Sequence, residues 1–295
     1  MSSSGFDKLS SLHRLKIKEI FCPVSGITVH VSPLTVGDDL SLRTMVASPE
    51  YYDREISALL FKHITFPDTE NGVVPTFDQF IANFSSFDRR LIIYGVFAST
   101  YKTIAEDTIK CNNCGHEFKD KINTADIIDV DSFELWDKEI FFTEYFKEIT
   151  VPVEPDTQEG IKSISFVTAV PSIKDQFDIL GLVPPDQMKH TYEKTGQILT
   201  RAEELSLITK QIKISSVSNG VEEEDSITGV IEITRAISDY ITSDIVNDVV
   251  DQYNDEFEKY NPKFGKKYNC EKCGFKIEYP VNIEANLFRN FFNIR

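Results

Sequence analysis

The chain has 295 residues, 41% of them apolar and 12% aromatic, with 47 acidic against 31 basic side chains and a formal net charge of −16. This is the composition of a folded protein long enough for roughly two domains, not of a disordered one. A surface this acidic repels phosphate backbones, which argues against nucleic acid as a partner. No apolar run approaches the roughly 18 residues of a membrane span, and Met1-Ser2-Ser3-Ser4-Gly5 lacks the basic and then apolar layout of a secretory signal.

In chain order, Phe6, Leu9, Leu12, Leu15, Ile17 and Ile20 recur at loose helical spacing, with Lys8, Arg14, Lys16 and Lys18 on a basic face. This predicts a surface helix over 6–20, or an arm for an acidic partner. After a Ser25-Gly26 turn, Ile27-Thr28-Val29-His30-Val31-Ser32-Pro33 reads as a half-buried strand, with Thr28, His30 and Ser32 alternating with Ile27, Val29 and Val31. Helices are expected from Thr35, over Tyr51–Ile64, from Thr76, and over Arg89–Ile104. The last is apolar nearly all round and should be a buried centre. A hairpin follows over Asp107–Ile122, then an acidic, aromatic stretch holding Phe133, Trp136, Tyr145 and Phe146, expected to pack on a knuckle hairpin or a neighbouring subunit. Ile161–Val170 reads as strand. Helices are expected over roughly 172–180, 185–209, 229–242 and 244–259, with Ser215–Ser226 a polar loop carrying Glu222-Glu223-Glu224-Asp225. A second hairpin spans Lys266–Val281, and Phe288, Phe291 and Phe292 mark an aromatic tail.

The chemistry is concentrated in four of the five cysteines. Cys111-Asn112-Asn113-Cys114-Gly115 and Cys270-Glu271-Lys272-Cys273-Gly274 are Cys-x-x-Cys-Gly turns between strand-like residues, the form of a zinc knuckle. The glycine supplies the positive φ that the turn needs. Two knuckles provide the four thiolates of one tetrahedral Zn²⁺ site, closed and therefore structural. Cys111, Cys114, Cys270 and Cys273 are the expected ligands, with one ion per chain clasping two distant parts of the sequence. His116 is an alternative fourth ligand. Lys259, Lys263, Lys266, Lys267, Lys272 and Lys276 either offset the charge of the site or form a basic docking patch. Cys22 reads as a small buried apolar residue. The remaining histidines have no ligand spacing, no nucleotide-binding, metalloprotease or nucleophile-elbow motif occurs, and acidic pairs such as Asp38/Asp39 and Asp129/Asp131 read as cap or surface residues. The expectation is a protein without catalytic residues.

The expected fold is α+β and helix-dominated, with small β-hairpins and a four-cysteine zinc ribbon formed by two distant knuckles. The expected domains are an N-terminal α+β domain over 1–128 ending in the first knuckle hairpin, a mostly helical insertion over 129–260, and a segment over 261–295 that packs back on the first domain.

Val29-His30-Val31-Ser32-Pro33-Leu34-Thr35-Val36-Gly37-Asp38-Asp39 leads into helices, Ser86-Phe87-Asp88-Arg89 opens a long apolar helix, and Ile109-Lys110-Cys111-Asn112-Asn113-Cys114-Gly115-His116-Glu117-Phe118 follows. This layout resembles the baseplate hub subunits and related tail-assembly proteins of T-even-type contractile-tailed phages. The resemblance covers residues 20–125 and, more faintly, Tyr268–Phe292; the middle, 130–260, has no counterpart. It implies a non-enzymatic virion protein of the tail baseplate, assembled in the host cytoplasm, whose partners are other tail and baseplate proteins, with homo-oligomerisation in a symmetric assembly open. Two further classes stay open: a tail-assembly chaperone absent from the mature virion, and a zinc-ribbon adaptor for nucleic acid, which the net charge opposes.

Overall fold

The computed structural model describes residues 17–45, 49–67, 74–103, 106–128, 133–153, 160–184, 186–188, 190–191 and 199–281. The chain divides into two compact units: one of Met1–Phe80, Phe87–Leu135 and Tyr260–Arg295, the other of Ile81–Ser86 and Trp136–Lys259. Helix accounts for 40% and strand for 31%, so the fold is mixed α+β, with more sheet than the sequence reading expects.

The first unit opens with β1 (Lys18–Cys22) and β2 (Ile27–Val31), an antiparallel hairpin extended by β3 (Ile64–Thr65). The helix expected through Ile20 is replaced from Lys18 by β1, because the pairing with β2 satisfies its backbone and Val29 and Val31 are fully buried. The earlier part of that helix, and its basic arm, lie outside the described residues. Helix α1 (Val36–Met45) starts in a capping box: the Asp38 amide donates to Thr35 Oγ1 at 3.3 Å and the Thr35 amide donates to Asp38 Oδ2 at 2.7 Å. Asp38 also faces His63 Nε2 at 3.1 Å, so its carboxylate is engaged in structure. Helices α2 (Pro49–Lys62) and α3 (Phe77–Asn83) bring Phe61, Phe77 and Phe80 into ring contact. Helix α4 (Ser86–Thr100) buries residues on every side, among them Asp88, Arg89, Leu91, Ile92, Gly95 and Phe97. It ends at Thr100, short of the expected Ile104.

After α4 come β4 (Asp107–Lys110) and β5 (Glu117–Asp120), one hairpin; the chain returns to this unit at Tyr260 and builds a second from β10 (Gly265–Asn269) and β11 (Lys276–Pro280). The return is anchored by Phe264, whose ring lies 5.5 Å from that of Tyr94 and 5.6 Å from the Arg90 guanidinium, and by the Gly265 amide donating to the Ile127 carbonyl at 2.7 Å. The phenylalanines of the expected tail lie outside the described residues.

The second unit is built on an antiparallel sheet in the order β6 (Lys147–Pro152), β7 (Gly160–Thr168), β8 (Thr209–Ser218), β9 (Val221–Thr228). Of these four strands the sequence reading expects one, over Ile161–Val170. The helix expected over 185–209 instead includes a fresh start at Thr200, whose side chain caps α6 (Arg201–Ile208), and the chain turns into β8 at Thr209. The polar loop expected over Ser215–Ser226 is a hairpin in which every residue from Gln211 to Ser218 pairs with β9. Its turn, Asn219-Gly220, has φ of 52° and 77°, the positive-φ pair that suits a two-residue hairpin. One face of the sheet is apolar: Ile149, Phe166 and Ile212 align across three strands and are buried. Helices α5 (Ile173–Leu180), α7 (Val230–Tyr240) and α8 (Ser243–Phe257) complete the unit. The Ser86 amide donates to the Pro171 carbonyl and the Ile173 amide to the Phe84 carbonyl, which ties 81–86 here. The acidic aromatic stretch, expected on a knuckle or a second subunit, packs within its own unit: Trp136 stacks on Phe257 of α8 at 6.5 Å and Tyr145 meets the same ring edge-on at 6.0 Å. Among the described residues no helix is long and apolar enough to cross a membrane.

Candidate metal centre

Both knuckle turns are made the same way. The Gly115 amide donates to the Cys111 carbonyl and the Cys111 amide to the His116 carbonyl, both at 2.8 Å. In the second turn the Gly274 amide donates to the Cys270 carbonyl at 2.8 Å and the Cys270 amide to the Phe275 carbonyl at 2.9 Å. Gly115 and Gly274 have φ of 69° and 70°, which a side chain would strain. In each turn this folding brings the two thiols to the same side.

The first unit then joins the turns. All four sulfurs lie within 4.8 Å of one another, with Cys111 to Cys273 at 3.7 Å and Cys114 to Cys270 at 3.6 Å. A disulfide would need about 2.05 Å. A tetrahedron of sulfurs about 2.3 Å from a central ion has edges of about 3.8 Å. The donor set and its spacing therefore fit a metal ion, and the four residues expected as ligands are the four brought together. His116 is not among them: its ring lies 6.3 Å from that of Phe118. Among the described residues this is the only such cluster.

Cys111 and Cys270 are buried, Cys114 is half-buried and Cys273 is exposed. The Phe275 amide, then the Asn113 side chain (Nδ2 3.6 Å from its sulfur), pull the Cys273 thiol down to about 6. The His116 amide favours the Cys114 thiolate, but desolvation and the neighbouring thiols push that group up to about 12. Four thiols this close cannot all ionise without a cation between them, because each thiolate opposes the next.

The hairpins also recognise each other away from the sulfurs. Both carry an apolar pair two residues before the first cysteine and four after the second: Ile109 opposite Phe118, and Tyr268 opposite Ile277. Ile109, Ile277, Cys111 and Cys270 form a buried cluster, with Phe118 and Tyr268 edge-to-face at 5.4 Å. One step further from the turn the chemistry is complementary. Asp107 and Asp120 are cross-strand partners in the first hairpin, and Lys266 and Tyr279 in the second. Tyr279 donates to Asp107 at 2.6 Å; Lys266 and Tyr268 both donate to Asp120 at 2.9 Å. Lys266, then Tyr268, hold the Asp120 carboxyl below its usual range. Sequence reasoning missed Asn113, Asp107, Asp120 and Tyr279. Aligning the two hairpins on their cysteines shows the last three, since acids in one stand where donors stand in the other. It read the lysines as offsetting the metal charge or forming a docking patch; of these, Lys266 is bound to Asp120, and Lys259 faces Asp137 at 3.4 Å.

Searches of protein-family models, curated proteins and solved structures return no match to this chain.

Proposed function

We propose that the two hairpins form a zinc ribbon holding one structural Zn²⁺ per chain, and that the protein is a non-enzymatic component of a contractile phage tail, a baseplate hub subunit acting through protein contacts. The observation that carries the metal reading is the four-sulfur cluster at tetrahedral spacing. Four thiolates suit zinc and leave no coordination position for water or substrate, so the ion's work is to fix the chain. The assignment to a tail baseplate is supported by the resemblance of residues 20–125. Metal analysis of the purified protein should give one zinc per chain, and none or two would sink the single-site reading. Mass spectrometry of mature particles should find the protein. Its absence there, with binding to tail precursors, would make it an assembly chaperone.

A further inference from the structure

The β1–β2 hairpin repeats the construction of the metal hairpins. Its turn is Cys22-Pro23-Val24-Ser25-Gly26, with Ser25 where the second cysteine of a knuckle would stand. The Gly26 amide donates to the Cys22 carbonyl at 2.9 Å, and Gly26 has φ 69°, matching the other two turns. The strand register is also shared. Counting from the two turn positions, Ile20 faces Val29 as Ile109 faces Phe118 and Tyr268 faces Ile277; Lys18 faces Val31 as Asp107 faces Asp120 and Lys266 faces Tyr279.

What lies against this third hairpin differs. The carboxylate of Asp88, fully buried on α4, accepts the Val24 amide on Oδ1 at 3.1 Å and the Ser25 amide on Oδ2 at 2.9 Å. Turn amides converging on an anion are a recurrent device. Seven residues along α4, two helical turns or about 10.5 Å away, Gly95 lies so close to the strands that a Cβ there would meet Ile20 Cγ1 at 2.6 Å and Val31 Cγ2 at 3.0 Å. One face of α4 thus meets both the turn and the strands. Burial, then the Asp88 charge, push the Cys22 thiol up, and Ser25 Oγ is buried without a hydrogen-bond partner.

We propose that β1–β2 is a third knuckle hairpin that binds a carboxylate in place of a metal ion. Asp88 occupies the turn as ligand, and α4, relieved at Gly95, stands in for the partner hairpin. Cys22 is then a packing residue, and the hairpin's integrity is independent of zinc.

Hydrogen exchange with mass spectrometry on the full chain tests this. Chelation with EDTA should accelerate exchange in residues 107–120 and 265–280 and leave residues 18–31 unchanged. Asp88→Ala should accelerate exchange at 18–31 by about tenfold or more while zinc content holds. If Asp88→Ala does not fold, Asp88→Asn, which turns an amide donor towards one of the two turn amides, supplies the same reading. Opening of 18–31 by chelation, loss of metal in Cys22→Ala, or unchanged exchange in the folded Asp88 variant would each overturn the proposal. A wild-type protein without zinc would defeat the metal reading of the other hairpins but leave the Asp88 comparison intact.

Discussion

Three hairpins in the first unit share a turn and a register, but two are joined through sulfur and one through a carboxylate. In the sulfur pair each turn supplies half a ligand set, and neither can use it alone. In the β1–β2 hairpin the turn supplies only amide donors, and α4 brings the anion already attached to a helix. On the proposed reading, the same backbone form is held by an exchangeable ion in one case and by a fixed side chain in the other. Only the former would link the fold to metal supply.

The largest expected effect is on the sulfur side. Apparent zinc energies of about 10 kcal/mol or more in small modules rival the whole stability of a domain. Cys270→Ser should lose the metal, lower the melting temperature sharply and release the 260–281 segment to protease. Retention of full thermal stability would show that the four sulfurs do not hold the fold. Next is Asp88→Ala, which leaves two buried amides unpaired and should cost about 2–5 kcal/mol in denaturant unfolding. An equal fall in zinc content would erase the difference between the two kinds of hairpin.

Gly95→Ala should cost about 1–3 kcal/mol by crowding Ile20 and Val31, with metal content unchanged; a cost near zero would mean the strands are not seated tightly on α4. Lys266→Ala removes a partly exposed pair and should cost less than about 1 kcal/mol. The Asp120 carboxyl is held below 3.8, so its contribution is complete above that pH and fades as pH falls through the lowered value. Lys266→Ala should weaken that acid dependence, measurable as unfolding against pH between about 5 and 2. Smallest is Ser25→Ala: its hydroxyl has no partner, so stability should move by less than about 1 kcal/mol or rise.

How much of this was legible from the residues varies with how local the cause is. The two cysteine turns were, because two thiols and a glycine within five residues specify such a turn before anything else folds. Helix α4 was legible through its apolar circumference. The β8–β9 hairpin was not, because β9 is exposed on nearly its whole length and carries no period-two signal; Asn219-Gly220 is the local clue to its turn. Asp88 read only as part of the opening of that helix, since the amides it binds are 63 and 64 residues earlier.

By itself the sequence determined the chemistry of the knuckles, the acidic balance and the periodicity of the long helices. All three depend on residues close in the chain, where spacing and side-chain type are sufficient. The tertiary structure decided which thiols share one cluster, which hairpin carries acids against the other's donors, and that Asp88 sits in a turn shaped like a metal site. Those depend on groups separated by 63 to 172 residues, whose meeting is set by the packing of buried surfaces and not by any local signal.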